Sequence, residues 1–482
     1  MTADLGVSRA VNTTSPSRSP HAKAAIALLG CDGCRLPGGG LVAWVVARIS
    51  RPVSRTRRRT KQQDPDGKSI VRGGEIRGEI KALTGLRIVA AVWVVLFHFR
   101  PMVSDVSPDL RENLSPVLNC GAQGVDLFFI LSGFVLTWNY LERMGRSWSK
   151  RETVHFLWLR LARVWPVYLV TLHLAAVWII FTLHVGHVPS PDVAKLTAIS
   201  YVRQVLLVQL WFEPFFDGTS WDGPAWSISA EWLAYLLFGL LVLVIFRLKL
   251  ATRARTLMVL AFVAQLPPMV LLLTSGFFYT PWSWLPRIVT QFTAGALACA
   301  AVRRLELSDR ARRVVGYVSL LPIVAMVSSI YLLDAYPIHG VLDSGGVVDV
   351  LFVPLVITLA VGMGSLPGLL STRVMVYGGQ ISFCLYMVHE LVHTGWTWAV
   401  VQFQLTPWQS DSPWKWNIIG LIAIAVVFSS LMYHFVEEPA RRWMRRMVDI
   451  RPASAKAQLD ATASAKLRQI DGGLEGVSAR AV

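Results

Sequence analysis

Ten apolar runs, separated by short polar loops, constrain the fold of this chain more than any other feature. They fall at about 83–101, 122–140, 166–184, 225–246, 257–274, 286–302, 314–333, 349–365, 378–402 and 416–436. Each is close to the ~20 residues an α-helix needs to cross the hydrocarbon of a bilayer. Of the 482 residues, 54% are hydrophobic and only 16% charged, more apolar surface than a water-soluble chain can bury. The expectation is an all-α polytopic membrane protein of about ten transmembrane helices. A further run, 198–212, is shorter and carries Arg203 and Gln204, so it reads as a re-entrant or interfacial helix.

The net charge is +17, but most Lys and Arg lie between apolar runs. That pattern suits loops facing anionic lipid, or an anionic substrate, better than nucleic acid. One set of loops holds Arg143, Arg146, Lys150, Arg151 and Arg160, then Arg247 to Arg255, then Arg303 to Arg313. The final helix ends in Arg441, Arg442, Arg445 and Arg446. The alternate loops are richer in acid, with Asp105, Asp109, Glu112, Asp192, Glu213, Asp217, Asp222, Asp334 and Asp343. By the positive-inside rule both termini are cytoplasmic in a plasma-membrane protein. The 19 Trp suit interfacial belts.

Residues 1–78 are rich in Ser, Thr, Arg, Gly and Pro and read as a disordered basic leader. Residues 79–446 form the membrane domain, and 447–482 a cytoplasmic tail. The apolar patch Ala24–Gly30 before Cys31 is too short to span. Cys31 and Cys34 form a CxxC with no second pair, so neither zinc nor a disulfide framework is implied by the five cysteines.

The first run, LTGLRIVAAVWVVLFHFR, places Arg87 and His98 in one helix. They are eleven positions apart, roughly 16 Å along the axis on nearly one face. Ionisable groups in lipid are costly and generally face a polar interior. Snorkelling would account for either alone; the two together point to chemistry, with His98 able to accept a hydroxyl proton. In GVDLFFILSGFVLTWNY, Asp126 opens a helix and suits its dipole, and Ser132 and Gly133 permit close approach. Arg160 and Arg163 share a face ahead of Pro166, which is expected to open the next span; they are ordinary flanking charges or a phosphate clamp. In GPAWSISAEWLAYLLF, Ser227 and Glu231 share a face near Trp226 and Ser229. A buried Glu231 needs a partner from another helix or a ligand. His389, Glu390 and His393 spell H-E-x-x-H, the spacing of a zinc site with a Glu base, without a recognisable third ligand. Glu437, Glu438 and Pro439 end the last helix in a structural role.

In this order the motifs resemble the membrane acyltransferase 3 family. Its hallmark is an Arg and a His with ten residues between them in the first span, matched by Arg87 and His98. GVDLFFILSGF, the RLAR pair before WPVY, WSISAE, Ile381 to His389 and FVEEP also match, together covering about residues 80–445. The family often has Asp where this chain has Thr84. The wording of the first two motifs is most similar to actinobacterial members, among them enzymes acting on macrolides and trehalose mycolates.

The resemblance implies an enzyme that takes an acyl group, often acetyl, from cytoplasmic acyl-CoA. It would O-acylate a glycolipid, carbohydrate or polyketide hydroxyl, with acyl-CoA as a donor substrate and no bound cofactor. His98, Arg87 and Glu231 are then the expected catalytic residues. Arg160, Arg163, Ser132, Trp226, Ser229, Tyr386 and His389 are the expected substrate-binding residues. Two rivals stand beside this reading: a proton-coupled transporter, which also needs intramembrane His and Glu, and an intramembrane zinc protease using His389, Glu390 and His393.

Overall fold

The computed structural model describes residues 78–185, 193–215, 221–338, 344–409 and 412–449. The expected leader, the CxxC and nearly all of the expected tail lie outside them. The described residues contain helices and no strand. In chain order they are α1 (Lys81–His98), α2 (Arg100–Val106), α3 (Pro108–Asn119), α4 (Gly124–Met144), α5 (Lys150–His184) and α6 (Ala198–Val205). Then come α7 (Trp226–Ala251), α8 (Ala254–Val263), α9 (Leu266–Ser275), α10 (Trp284–Val302), α11 (Asp309–Val318) and α12 (Leu320–Ala335). The last are α13 (Phe352–Val361), α14 (Ser365–Leu370), α15 (Arg373–Gln402), α16 (Asn417–Met432) and α17 (Glu438–Asp449).

Every one of the ten apolar runs is helical, so this is an all-α polytopic membrane protein. Eight helical stretches, rather than ten, are long and apolar enough to cross a bilayer. Of the other two, Gly345–Val361 is apolar but shorter. α15 has 30 residues but carries Gln380, Ser382, His389, Glu390, His393 and Thr394.

Prolines interrupt some runs where a missing N–H breaks the ladder. Pro267 and Pro268 open α9 and separate it from α8. Pro101 ends the first run early, at His98. Its ring removes the bond that Phe97 O would have received, and Arg100 Nη1 donates to that oxygen instead, at 2.6 Å. Pro166 departs from expectation. It lies in the middle of the 35-residue α5 rather than at the start of a span. Arg160 and Arg163 are therefore inside a helix, not in the loop before one. A proline inside a membrane helix is tolerated where neighbours re-satisfy the freed backbone.

The expected short helix is α6, closed by a capping box between Thr197 and Ser200. The chain after it runs irregularly through the protein interior, and its backbone is satisfied from α5 and α7. Tyr168 Oη donates to Gln204 O (2.9 Å), Ser229 Oγ donates to Leu207 O (2.9 Å), and Leu210 N donates back to Ser229 Oγ (3.2 Å).

Two close helix crossings set the frame. α4 meets α10 where a Cβ on Gly133 would lie 2.0 Å from Phe292 O and one on Gly295 2.0 Å from Ile130 O. α1 meets α15 where a Cβ on Gly379 would lie 1.8 Å from Thr84 O. Absent side chains are what let these backbones touch. At one end of the bundle Glu142 of α4 bonds Lys249 of α7 (2.5 Å) and Arg303 beyond α10 (3.2 Å). The ends of alternate helices thus meet on one side, as an up-and-down arrangement requires.

Candidate active site

The α1–α15 crossing brings the end of α1 against the middle of α15. His98 Nδ1 lies 3.5 Å from Glu390 Oε2, and Glu390 Oε1 lies 3.2 Å from His393 Nδ1. The His98 and His389 rings are 4.9 Å apart between centroids. His389 is fully buried, and its Nδ1 sits 2.6 Å from Tyr386 O. A carbonyl only accepts, so that nitrogen carries the proton. Nε2 of His389 is then an acceptor, and it is buried without a hydrogen-bond partner. His98 has 37% of its side chain exposed, open to the cavity beside it.

That cavity has a volume of about 500 Å³. His98, Glu390, Asp222, Trp178, Trp221 and Trp226 are among its walls. Asp222 precedes α7 and accepts from the Thr171 hydroxyl at 3.2 Å. Burial pushes its carboxyl up to about 7, so a proton is available there near neutral pH. A second cavity of about 40 Å³ is lined by Arg87, Ser227, Glu231 and Phe128. Val125 and Tyr386 line both, so one thin wall divides them. In that wall the Tyr386 hydroxyl bonds Ser227 Oγ and Pro224 O, each at 2.8 Å.

Arg87 and His98 therefore share a helix face but line different cavities. Arg87 lies over the Phe128 ring (5.2 Å to its centroid) and faces Glu231 across the small cavity. Glu231 acquires the cross-helix partner it needs in Arg87 of α1, and one turn along its own helix the Tyr235 hydroxyl reaches both Glu231 and Ser132 of α4. Trp226 and Tyr386 line the large cavity. Ser229 does not: it is fully buried and its hydroxyl is engaged by the backbone at Leu207 and Leu210. Arg163 is ion-paired with the fully buried Glu437, which also accepts from the Cys384 thiol at 3.3 Å. Its charge is compensated inside the protein. Arg160 rests over the Tyr140 and Phe156 rings, with Nε buried and without a partner. Nor is Asp126 simply a helix-dipole residue. It forms a two-bond pair with Arg287 of α10, Nε to Oδ1 at 3.0 Å and Nη2 to Oδ2 at 2.5 Å, both side chains almost wholly buried.

The H-E-x-x-H string does not close on itself as a two-histidine site. Among the described residues, the group with donor atoms close enough to share a ligand is His98, His389 and Glu390, all within 4.8 Å. His393 turns to Glu390 and stacks on Phe99 instead. Sequence reading did not single out Asp222, Tyr235 or Arg287 as site residues. The one local signal was an acid and a Gly-Pro step directly before α7.

Helices long and apolar enough to cross a bilayer, with an imidazole-lined chamber among them, make a polytopic membrane protein with an internal site. The chain belongs to the acyltransferase 3 family: the family's acyltransferase domain matches residues 80–434. It is 27% identical over 392 residues to acyltransferase MdmB of Streptomyces mycarofaciens, covering 76% of this chain and 93% of that one. It is 23% identical over 384 residues to a putative peptidoglycan O-acetyltransferase, YrhL, of Bacillus subtilis, covering 75% of this chain and 55% of that one. Protein 2 in the picA locus of Rhizobium radiobacter is 31% identical over 152 residues, 31% of this chain and 72% of that one. No solved structure matches the chain. The protein is a membrane acyltransferase, which removes the transporter and protease readings.

Proposed function

We propose that this enzyme moves an acyl group, acetyl in the first instance, from acyl-CoA to a hydroxyl of an envelope glycolipid, carbohydrate or polyketide. His98 is the general base. The observation that carries this reading is His98 itself: an imidazole at a helix end, open to a cavity of about 500 Å³, with Glu390 behind it. The acceptor hydroxyl lies against His98, and aromatic side chains including Trp178 and Trp221 cover the apolar faces of the acceptor. The O-acetyltransferase name of YrhL supports acetyl as the group moved.

In the reaction, His98 Nε2 takes the hydroxyl proton as the oxygen attacks the thioester carbonyl. The C–S bond of the tetrahedral intermediate then breaks, and the imidazolium returns its proton to the departing thiolate. Arg87, facing Glu231 below the Tyr386 wall, supplies the fixed positive charge on the donor side. Arg160 and Arg163 lie nearer the basic end of the bundle. With Arg163 held by Glu437, Arg160 is the better placed of the two to meet CoA phosphate. Basic loops at that end support cytoplasmic termini in a plasma membrane, and so donor entry from the cytoplasm.

The test is acyl transfer by purified protein with labelled acetyl-CoA, followed as CoA release and as label in lipid and glycan extracts. His98→Ala should lower the rate at least about 100-fold, in the range expected for loss of a general base. Full activity in a folded His98→Ala protein would overturn the assignment.

A further inference from the structure

We propose that Glu390 is the positioning residue for His98, holding its Nδ1 and stabilising the imidazolium that forms during transfer. This rests on His98 being the base. The geometry is a carboxylate set between two imidazoles, with His98 Nδ1 at 3.5 Å and His393 Nδ1 at 3.2 Å. Glu390 itself lines the large cavity, whose described walls include neither Lys nor Arg. A carboxylate in a largely apolar chamber needs a positive or proton-donating partner. Its neighbours there are the imidazoles of His98 and His393. During proton abstraction one of them becomes a cation beside it. The interaction is thus stronger in the transition state than in the ground state, which is the condition for accelerating a step.

His389 fits the same arrangement. Its Nδ1–H is fixed on Tyr386 O, so it cannot donate towards His98, and its free Nε2 is buried beside the His98 ring. Glu390 Oε2, buried and otherwise without a hydrogen-bond partner, is set 3.5 Å from His98 Nδ1 to accept its proton. That selects the tautomer in which Nε2 is free to take a proton from the acceptor. Sequence reading treated Glu390 as part of a zinc string; the fold places it behind the base instead. The charged and titratable groups around the pair are His389 and His393 from α15, Arg100 after α1, and Asp222 before α7.

The experiment compares wild type, Glu390→Gln, Glu390→Asp and His98→Ala, each purified and shown monodisperse, by kcat and kcat/KM against pH. In Glu390→Gln, kcat is expected to fall about 10- to 100-fold, with KM for acetyl-CoA within about twofold. A neighbouring carboxylate favours the protonated imidazole, so its loss lowers the kinetic pKa of the base. The acidic limb of the profile should therefore move about one unit to lower pH. Glu390→Asp should restore part of the rate and return the limb towards wild type. If His98→Ala is inactive while Glu390→Gln keeps both the wild-type rate and limb, this proposal fails and the general-base reading stands. If His98→Ala stays active, the general-base reading itself fails. Equimolar zinc in the wild type, lost in Glu390→Gln, would also overturn the positioning role. If Glu390→Gln does not fold, Glu390→Asp decides: a reduced kcat with a shifted limb supports the role, and an unchanged profile overturns it.

Discussion

Asp126 and His98 show how one residue type acquires its role from what the fold sets against it. Asp126 at a helix start is compatible with solvent and a dipole; buried against Arg287 it becomes one half of an internal ion pair. Arg287 also lies over the rings of Phe278 (4.6 Å to its centroid), Trp226 and Tyr279 (5.2 Å each), so its cation has no route to water. Removing one partner of such a pair leaves an uncompensated buried charge, at a cost of about 3–5 kcal/mol. Asp126→Asn should therefore lower the melting temperature in detergent by many degrees. An unchanged melting curve would mean that Arg287 finds another acceptor. His98 was legible as chemistry because it follows Arg87 by eleven residues in an apolar run. Its partner was not, since Glu390 is nearly three hundred positions away, and neither was Asp222 on the same cavity, which lies in a loop between two spans.

Elements are placed by what their sequences leave out. α1 and α15 approach closely because Gly379 has no side chain to hold Thr84 away. α1 ends at His98 because Pro101 cannot continue its ladder. The two facts together put His98 opposite Glu390. A methyl group at position 379 would meet backbone, which cannot give way as a flexible side chain can. Gly379→Ala should force the helices apart at a cost of about 1–3 kcal/mol. It should also reduce acyl transfer at least about tenfold, measured beside thermal stability in the same preparation. Wild-type values for both would show that the crossing has slack. The prolines divide by neighbourhood. Pro101 and Pro267 end or open helices as their missing N–H dictates, whereas Pro166 is carried through by the helix packing around it, which sequence spacing does not report.

For the whole molecule, basic and acidic loops alternate along the chain, and the contact of Glu142 with Lys249 and Arg303 joins successive basic loops at one end. With that end cytoplasmic, Arg111→Cys and Asp334→Cys should react with a membrane-impermeant maleimide on intact cells. Arg253→Cys and Arg310→Cys should react only after permeabilisation, in a background with Cys31 and Cys34 changed to Ser. The reverse pattern would overturn the orientation and the direction of donor entry.

The sequence by itself determined the fold class, the positions of the ten helical runs and the family, because hydropathy and short motifs are local properties. It also identified His98, Arg87, Glu231, Trp226 and Tyr386 as residues apart from the lipid-facing background. Only the tertiary structure decided that Arg87 and His98 line separate cavities, that Arg163 is neutralised by Glu437, that Ser229 holds backbone, and that Glu390 stands beside His98. Each of these depends on which helix faces which, and that is fixed by the small-residue crossings and buried ion pairs, interactions between positions far apart in the chain.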